Sequence, residues 1–590
     1  MSSVAHQDDP TNAHRPAVPP PASGERRVPL GVALLLAAAV YWIFAPLWPS
    51  LSVHILGDPD TDTLRGLWGF DHLRRSLIPP NTPLWSETIN FPEGAVALIL
   101  PWVSGQLLAP LGGLFGPIAG YNLGIAVLLW AAGFCTALLV YETSRSWFAA
   151  AIAGGAMLSQ PMLLHAVGDG TPEHLAIWSV PLFLAAGHRA LVRKTPRWGI
   201  IAGLAAGVVA LDSPYHAIYA LIAAPIVLPW ATGRVETPAE RTQLLWTLGA
   251  GLMVLLACGG LVAAIYSGFS ISSSAEDSTE LWQMNAADLR TWWKHEFNDT
   301  AVREASLAPT LIPSVMLWGG LVLCGLGLPR SLPWALAGAL MIQLSLGLNP
   351  RLPLHLTFWI GEAPGQQLGR ALLRVNETLY DLPIIGMIRF PQRWLVPAAL
   401  CLLTGAGFGL ARIGPYTRSA APLIAAVLVA GAALIGVRCS HNDLGFPAQP
   451  APRIDFAEWL AHDPRSGAVL TLPQTRPPPA SGLRRDLPVF ANLDSALTSA
   501  DTLYFQTIHG RPIAGYPNFK TITGEAPAPP IIKLLRDWDD LSLPGTSQRP
   551  IPDSARDTRA DATRQTGLRE LYAKGLRWIV IDEGVYTEEA

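Results

Sequence analysis

The chain has 590 residues and a formal net charge of −3, and 50% of its residues are hydrophobic while 14% are charged. Soluble globular proteins carry roughly 25% charged residues, so this composition excludes that class and indicates a membrane protein. A nucleic-acid-binding protein is also excluded, because the sequence has no basic tail or arginine-rich stripe. The five cysteines form no CxxC or Cys/His pattern and therefore indicate neither a metal site nor a disulfide framework.

Apolar runs set the organisation of the chain. Residues 1–29 are rich in proline, alanine and polar side chains and predict a disordered cytoplasmic tail. Apolar runs of about 20 residues, each long enough to cross a bilayer, then recur as far as residue 437. They predict an all-α polytopic membrane domain over 30–437, with about eleven helices. The predicted spans are 30–48, 118–140, 148–166, 174–191, 198–212, 216–232, 244–266, 309–328, 332–348, 394–412 and 419–437.

The segment 96–116 is also apolar, but prolines at 101, 110 and 117 interrupt it. Two interpretations remain. The segment is either a re-entrant or interfacial element, or a further span that would reverse the membrane orientation of every later segment. Arginine and lysine settle the choice, because they occupy alternate loops, whereas loops 167–173 and 213–215 contain neither. This asymmetry favours the re-entrant or interfacial interpretation.

The same asymmetry predicts the orientation. The N-terminus is expected in the cytoplasm, and four longer segments are expected outside: 49–117, 267–308, 349–393 and 438–590. Tryptophans at predicted span ends are expected to form an interfacial belt: Trp42, Trp48, Trp198, Trp230 and Trp394.

The last segment, 438–590, is polar and proline-rich and predicts a small extracytoplasmic α/β domain. Within it, FAEWLAHD has the pattern of a short amphipathic helix. GAVLTLP and GLRWIVID have the pattern of buried strands.

An acidic cluster follows the first predicted span and comprises Asp58, Asp60, Asp62 and Asp71. Carboxylates are costly near hydrocarbon, which makes the cluster a functional candidate. The alternative is a turn that caps a helix over 61–77.

Two smaller polar clusters fall on short loops of the same predicted side. Asp169, Glu173 and His174 could bind a divalent cation such as Mg²⁺ or Mn²⁺, although their spacing matches no metal motif. The alternative is that they cap the next helix. Asp212 and His216 either line a cavity or belong to a tight turn.

Arg389 and Arg393 precede the span at 394–412, at the predicted outer interface. Guanidinium groups bind phosphate oxygens well, which makes both residues candidates for the phosphate of a lipid-linked donor. Anchoring to lipid headgroups is the alternative.

Several segments, in this order, resemble the GT-C superfamily of integral membrane glycosyltransferases. They are GDPDTDTLRGLWGFDHL after the first span, NFPEG at 90–94, AGYNLGIAVLLWAAGFCTALLVYETSR at 119–145, GDGTPEHLAIWSVPLFL at 168–184, IRFPQRWLVPAALCLLTGAGFGLARI at 388–413, and FAEWLAHDPRSGAVLTLP and GLRWIVID in the last segment.

The resemblance implies a helical membrane fold whose long first outer loop begins with acidic residues. It implies that Asp58 or Asp60 acts as general base on the acceptor or helps to hold a metal. The implied reaction is inverting transfer of a hexose or pentose from a polyprenyl-phosphate carrier. The acceptor would be an envelope glycan, lipid or protein outside a bacterial inner membrane. No P-loop or GxGxxG signature occurs, which argues against a nucleotide-sugar donor.

Two other functions stay open from the sequence. A transporter or flippase of lipid-linked precursors would show inverted repeats with paired broken helices, and no convincing internal repeat is found. A non-catalytic assembly protein would use its outer domain to bind envelope glycans.

Overall fold

The computed structural model describes the helical core and parts of the connecting segments. The described residues are 27–57, 63–77, 85–89, 95–96, 101–168, 170–231, 237–266, 311–347, 362–382, 385, 391–413, 420–438, 448–450, 455–472, 500–513, 569, 572–573 and 575–581.

Helices make up most of this part of the chain. They are α1 (Arg27–Ile43), α2 (Thr63–Arg75), α3 (Trp102–Phe115), α4 (Pro117–Ser144), α5 (Trp147–Leu158), α6 (Pro161–Gly168), α7 (Pro172–Leu175), α8 (Ser179–Arg193), α9 (Pro196–Asp212), α10 (Pro214–Val227), α11 (Pro238–Tyr266), α12 (Leu311–Gly327), α13 (Leu332–Ser345), α14 (Glu362–Tyr380), α15 (Leu395–Ile413), α16 (Ala421–Arg438), α17 (Asp455–His462) and α18 (Ala500–His509). Many begin with a proline, because its missing N–H is no loss in the first turn and its φ is already helical. Short 3₁₀ turns include Ala176–Trp178 and Pro391–Trp394.

The described strands are short and form two-stranded pairs. They are β1 (His54–Leu56), β2 (Trp85–Ser86), β3 (Ala95–Val96), β4 (Ala448–Pro450), β5 (Ala468–Leu472) and β6 (Leu576–Ile581). β1 pairs antiparallel with β4, β2 pairs antiparallel with β3, and β5 pairs parallel with β6.

Several helices have the length and composition of membrane spans. Four runs among the described residues qualify: Pro117–Ser144, Pro172–Arg193, Pro238–Leu261 and Leu395–Ile413. The pair α5 and α6, bent by 43°, gives a fifth if it counts as one span. The chain is therefore a helical membrane protein. A described helix overlaps each predicted span. The number of helices that cross the membrane, about eleven, stays a prediction.

Helix α11 shows how the protein meets lipid. Its apolar side chains lie on an open surface, with Trp246 69% exposed and Met253 72% exposed. On its other side α11 packs closely on α9, where a Cβ at Gly199 would collide with the carbonyl of Thr247. Small residues allow this kind of close helix approach in membranes, and large apolar side chains are stable against lipid tails. The exposed face of α11 is therefore a lipid-facing edge of the bundle.

Helix α3 lies within the ambiguous segment 96–116. It has 14 residues, which rise about 21 Å, whereas the hydrocarbon core is roughly 30 Å thick. Gly116 follows it with φ 87°, and a Cβ at Gly120 would collide with the backbone of Gly112. The chain therefore folds α3 back onto α4, which favours a re-entrant or interfacial element over a full span.

The last segment contains elements where the sequence patterns place them: α17, β5 and β6 overlap FAEWLAHD, GAVLTLP and GLRWIVID. Leu460 of α17 and Val469 of β5 are buried together. Helix α18 packs on α2, close to the start of the chain's long first loop. The domain boundary at 438 and the location of the segment outside the membrane stay predictions.

Candidate functional site

The described site candidates lie at one end of the helical bundle. This end, called the site end below, is where α1 ends and α4, α7 and α10 begin. The structure places Glu173, His174, Asp212, His216 and Arg393 there. The remaining candidates lie outside the described residues: Asp58, Asp60, Asp62, Asp169 and Arg389.

The acidic loop, residues 58–62, has both of its flanks described. Gly57 before it has φ 112°, and a Cβ there would collide with Thr63 Oγ1, so the two flanking residues nearly touch. Gly170 has φ 65°, and a Cβ there would collide with the backbone of Thr63. Glycine adopts this left-handed backbone at no steric cost. The two flanks of the acidic loop therefore lie against the loop that carries Gly170, and two segments far apart in sequence meet at the site end.

Asn122 of α4 fixes the entry to the acidic loop. Its Oδ1 accepts from Leu56 N at 2.9 Å, and its Nδ2 donates to the carbonyls of His54 (2.7 Å) and Leu51 (2.8 Å). The side chain is fully buried. An amide with its donors and acceptor satisfied holds a backbone in one position, so β1 reaches Gly57 along a defined path.

A cationic and aromatic cluster lies one turn beyond Gly170. The guanidinium of Arg393 lies 5.0 Å from the centre of the Tyr215 ring, a cation–π distance. The ring of His174 lies 5.9 Å from the same tyrosine ring. His174 Nε2 is 3.9 Å from Glu173 Oε1. Three elements, α7, α10 and the turn before α15, thus contribute to one cluster.

His216 extends this cluster into the bundle. It is 2% exposed, its ring lies 5.8 Å from that of Tyr219, and Tyr219 lies 4.9 Å from Trp394. Trp394 is completely buried, so its expected place in an interfacial belt is wrong: the 3₁₀ turn before α15 directs it inward. Trp42 and Trp230, by contrast, are 58% and 62% exposed.

The two histidines of the cluster have free nitrogens. Neither Nε2 of His174 nor Nδ1 of His216 has a hydrogen-bond partner among the described residues. Buried polar atoms in folded proteins are nearly always paired, so unpaired ones call for an explanation. A bound ligand with hydrogen-bonding oxygens would supply one.

Sequence reasoning missed His165 in α6. His165 lies within electrostatic reach of Arg393, as His174 and His216 do. The available signal was a single ionisable residue within an apolar predicted span, one turn before the GDG loop. Such residues are functional candidates by default.

Asp212 has a different environment. Its carboxylate accepts from Ser104 N at 2.9 Å and from Ser104 Oγ at 2.6 Å, and Trp178 Nε1 donates to the same hydroxyl at 2.9 Å. Asp212 is fully buried, and Ser104 lies in the first turn of α3. A carboxylate at a helix N-terminus is stabilised by the exposed N–H groups and by the helix dipole. Asp212 therefore anchors α3 to the end of α9, which agrees with the tight-turn alternative.

Asp71 is also engaged in structure. It forms ion pairs of 2.7 Å with both Arg74 and Arg75, and its side chain is 3% exposed. Its charge is thus balanced within α2, which separates it from the other aspartates of the predicted acidic cluster.

A metal site is not formed by the described residues, among which no group of three or more His, Cys, Asp or Glu side chains could hold an ion. The acidic loop and Asp169 are not among those residues. A divalent cation at the site end therefore stays a prediction.

No protein-family model matches the chain, and no curated protein matches it. Solved structures similar to it include the arabinofuranosyltransferase AftD from Mycobacteria, at 17% identity and a TM-score of 0.47, over 87% of this chain and 34% of that one. They also include the oligosaccharyltransferase AglB from Archaeoglobus fulgidus, solved with an inhibitory peptide and a dolichol-phosphate, at 14% identity and a TM-score of 0.43 over 95% of this chain and 70% of that one. The same archaeal enzyme with Zn and sulfate gives 14% identity and a TM-score of 0.42, over 94% and 68% of the two chains.

This chain thus spans about a third of the length of AftD. The similar structures are an arabinofuranosyltransferase and an oligosaccharyltransferase, both of which are glycosyltransferases by name. At these TM-scores the likeness does not assign an activity, and the function of this chain has to be argued from its own residues.

Proposed function

We propose that this protein is a membrane glycosyltransferase that moves a sugar from a polyprenyl-phosphate carrier to an acceptor at the outer membrane surface. The acceptor would be an envelope glycan, a lipid or a protein. The observation that carries the proposal is the meeting of two kinds of group at the site end. Thr63, which follows the acidic loop, packs against Gly170, and His174, one turn further on, belongs to the cluster around Arg393.

Each group has a role in an inverting displacement. A carboxylate of the acidic loop, Asp58 or Asp60, takes the proton of the acceptor hydroxyl as that oxygen attacks the anomeric carbon. The bond from the anomeric carbon to the phosphate oxygen breaks, and the polyprenyl phosphate leaves with the bonding electrons. Arg393, and Arg389 four residues before it, balance the phosphate charge. The free nitrogens of His174 and His216 offer further hydrogen bonds to the phosphate oxygens.

The position of the cluster suits a lipid-linked donor. Arg393 immediately precedes α15, one of the helices long and apolar enough to span. A phosphate bound there would leave its polyprenyl tail beside the helices, in the bilayer. A divalent cation bound by Asp58, Asp60, Asp62 or Asp169 would add positive charge near the same phosphate.

The proposed orientation places the N-terminus in the cytoplasm of a bacterial cell and residues 438–590 outside the inner membrane. Cysteines introduced singly as Arg193→Cys and Ala500→Cys, in a background without native cysteines, should be labelled by an impermeant reagent from opposite sides. Labelling of both from the same side would contradict the orientation and the outer active site.

The central test measures transfer by purified full-length protein in lipid nanodiscs supplied with polyprenyl-phosphate hexoses and pentoses. Asp58→Asn or Asp60→Asn should lower the transfer rate by at least about a hundredfold, the scale expected for a general base. Asp381→Asn, which removes an exposed carboxylate after α14, is the matched control and should stay within twofold of wild type, as roughly expected for a solvated charge. Normal transfer in Asp58→Asn, in Asp60→Asn and in the double variant would assign the acidic loop to a structural cap.

A further inference from the structure

The C-terminal segment contacts the described elements on both flanks of the acidic loop, β1 before it and α2 after it. Before the loop, β1 pairs with β4 so that His54, Ile55 and Leu56 lie opposite residues 450, 449 and 448. Ile55 and Leu56 are buried. The residue that enters the acidic loop, Gly57, therefore follows a strand whose partner belongs to the beginning of the C-terminal segment.

After the loop, α2 is bound by α18. Gln506 of α18 is 3% exposed, and its Oε1 accepts from Trp68 Nε1 at 2.6 Å. Its Nε2 donates to the carbonyls of Thr88 (2.5 Å) and Arg511 (3.0 Å). A single buried amide thus joins α2, the loop around Thr88 and the chain after α18.

Apolar packing and a second polar contact strengthen this junction. Trp68 and Leu73 of α2 form a buried cluster with Ile89, Leu503 and Ile513. Arg75, already paired with Asp71, donates to the Thr507 carbonyl at 3.1 Å. Burial of large apolar side chains contributes the main stabilisation of such an interface, and the fully paired amide adds a defined geometry.

We propose that the C-terminal segment fixes the two described flanks of the acidic loop, β1 and α2, with Gln506 as a positioning residue for the transfer reaction. This inference rests on the proposed function. Gln506 acts on the loop through Trp68 and the first turn of α2, while the Arg393 cluster is held by other elements. The segment is therefore expected to affect the proton-transfer step and to take no part in binding the donor phosphate.

The expected kinetic consequence is specific. A misplacement of about 1 Å in a catalytic group can lower a rate by about a hundredfold. Loss of the Gln506 contacts should therefore lower kcat while the KM for the polyprenyl-phosphate donor stays unchanged. If Gln506 mattered for folding alone, its substitution would lower the amount of folded protein and leave the kcat of the folded fraction unchanged.

The experiment compares Gln506→Leu and Trp68→Phe, which cut the same hydrogen bond from opposite sides, with Gln343→Leu. Gln343 also bridges two helices by its amide, from α13 to Leu372 and Asn376 of α14, and serves as the matched control. Kinetics in nanodiscs and amide hydrogen exchange over residues 56–77 are measured for each variant. Gln506→Leu should lower kcat by about tenfold or more, with donor KM within about twofold. Exchange over 56–77 should be faster than in wild type. Trp68→Phe should shift both readouts in the same direction.

The outcomes separate the two proposals. If wild type transfers sugar and kcat is unchanged in both Gln506→Leu and Trp68→Phe, the positioning role is overturned. A rise in donor KM at constant kcat in these variants would also overturn it. An equal loss of kcat in Gln343→Leu would show that the effect is a general destabilisation of the protein, which would also overturn the positioning role. If wild type transfers no sugar, the proposed function fails. Hydrogen exchange then decides by itself whether the segment holds α2, and unchanged exchange in Gln506→Leu would contradict that hold.

Discussion

Two polar groups at the site end, Asp212 and the pair His174 and His216, differ in how completely their hydrogen bonds are satisfied. The Asp212 carboxylate has the N–H and the hydroxyl of Ser104 as donors. The Nε2 of His174 and the Nδ1 of His216 have no hydrogen-bond partner among the described residues, and the charge of Arg393 acts on both rings. Asp212, His174 and His216 all lie on neighbouring helices, so their positions in the fold do not distinguish a structural role from a binding role.

The difference separates a structural role from a binding role. A buried polar group with satisfied bonds contributes to the geometry of the fold, whereas a buried unpaired group pays a desolvation cost that a ligand can relieve. Asp212 is therefore expected to affect stability, and the Arg393 cluster is expected to affect substrate use. Substitutions at Arg393, Asp212 and His216 test that division.

Among the variants that test this division, Arg393→Ala is expected to have the largest effect. A charge-assisted contact with phosphate contributes roughly 1.5–3 kcal/mol, so the KM for the donor should rise by about tenfold or more. The KM for the acceptor should change little, because in the proposed reaction the acceptor hydroxyl reacts with a carboxylate of the acidic loop. Initial rates with each substrate varied separately give both constants. Arg412→Ala removes an exposed arginine that binds the carbonyls of Leu326 and Leu328 and is the control. A rise in acceptor KM alone would place the acceptor or lipid headgroups at Arg393.

Asp212→Asn should act on stability. It weakens two charge-assisted bonds to Ser104 and should lower the free energy of unfolding by about 1–3 kcal/mol. Thermal unfolding in detergent measures this loss, and the donor and acceptor KM of the folded protein should stay close to wild type. A large rise in donor KM with unchanged thermal stability would move Asp212 into the binding site.

His216→Phe should show the opposite pattern. The imidazole offers one neutral hydrogen bond to a phosphate oxygen, worth about 0.5–1.5 kcal/mol, so donor KM should rise by about three- to tenfold. Stability should change less than in Asp212→Asn, since phenylalanine keeps a ring beside Tyr219 and His216 Nδ1 has no hydrogen bond to lose. A stability loss without any kinetic effect would show that the cluster is a packing feature.

The smallest effect is expected from pH at the junction of α2 and α18. Burial, and then the charges of Arg511 and Arg75, lower the pKa of His509 to about 4. His509 Nδ1 accepts from Arg511 N at 3.0 Å, which a protonated Nδ1 cannot do. The unfolded state binds more protons between the two pKa values. The stabilisation is therefore complete above pH 6.5 and is lost as the pH falls from about 6.5 through about 4.

At pH 6 the expected loss is about 1 kcal/mol. Hydrogen exchange over residues 500–513 at pH 7.5 and pH 6, each corrected for intrinsic exchange, measures it. His509→Gln should abolish the difference. An equal pH response in His509→Gln would assign the effect to another group.

Much of the membrane architecture could be predicted from hydropathy, because a helix that faces lipid must be apolar along its whole length. Each predicted span overlaps a described helix, and α17, β5 and β6 overlap their predicted patterns. The prediction was wrong for Trp394, because a tryptophan at a span end faces the interface or the bundle according to the local turn, which hydropathy does not reveal. His165 was missed for a related reason: one histidine in an apolar run changes the mean hydropathy of that run only a little.

The sequence by itself determined the class of protein, the approximate helices and the residue types able to carry acid–base and phosphate chemistry. These properties follow from the composition and the hydrophobic periodicity of short segments, which depend only on residues that are close together in the sequence. Tertiary structure alone decided which polar groups meet. It brings Thr63 against Gly170, Arg393 over Tyr215 and Gln506 against Trp68, 438 positions apart in the chain. It also gives Asp212 its partner, Ser104, 108 positions away. Whether a buried polar group is satisfied depends on such distant partners, and this is why the division between anchoring and binding residues emerged from the fold.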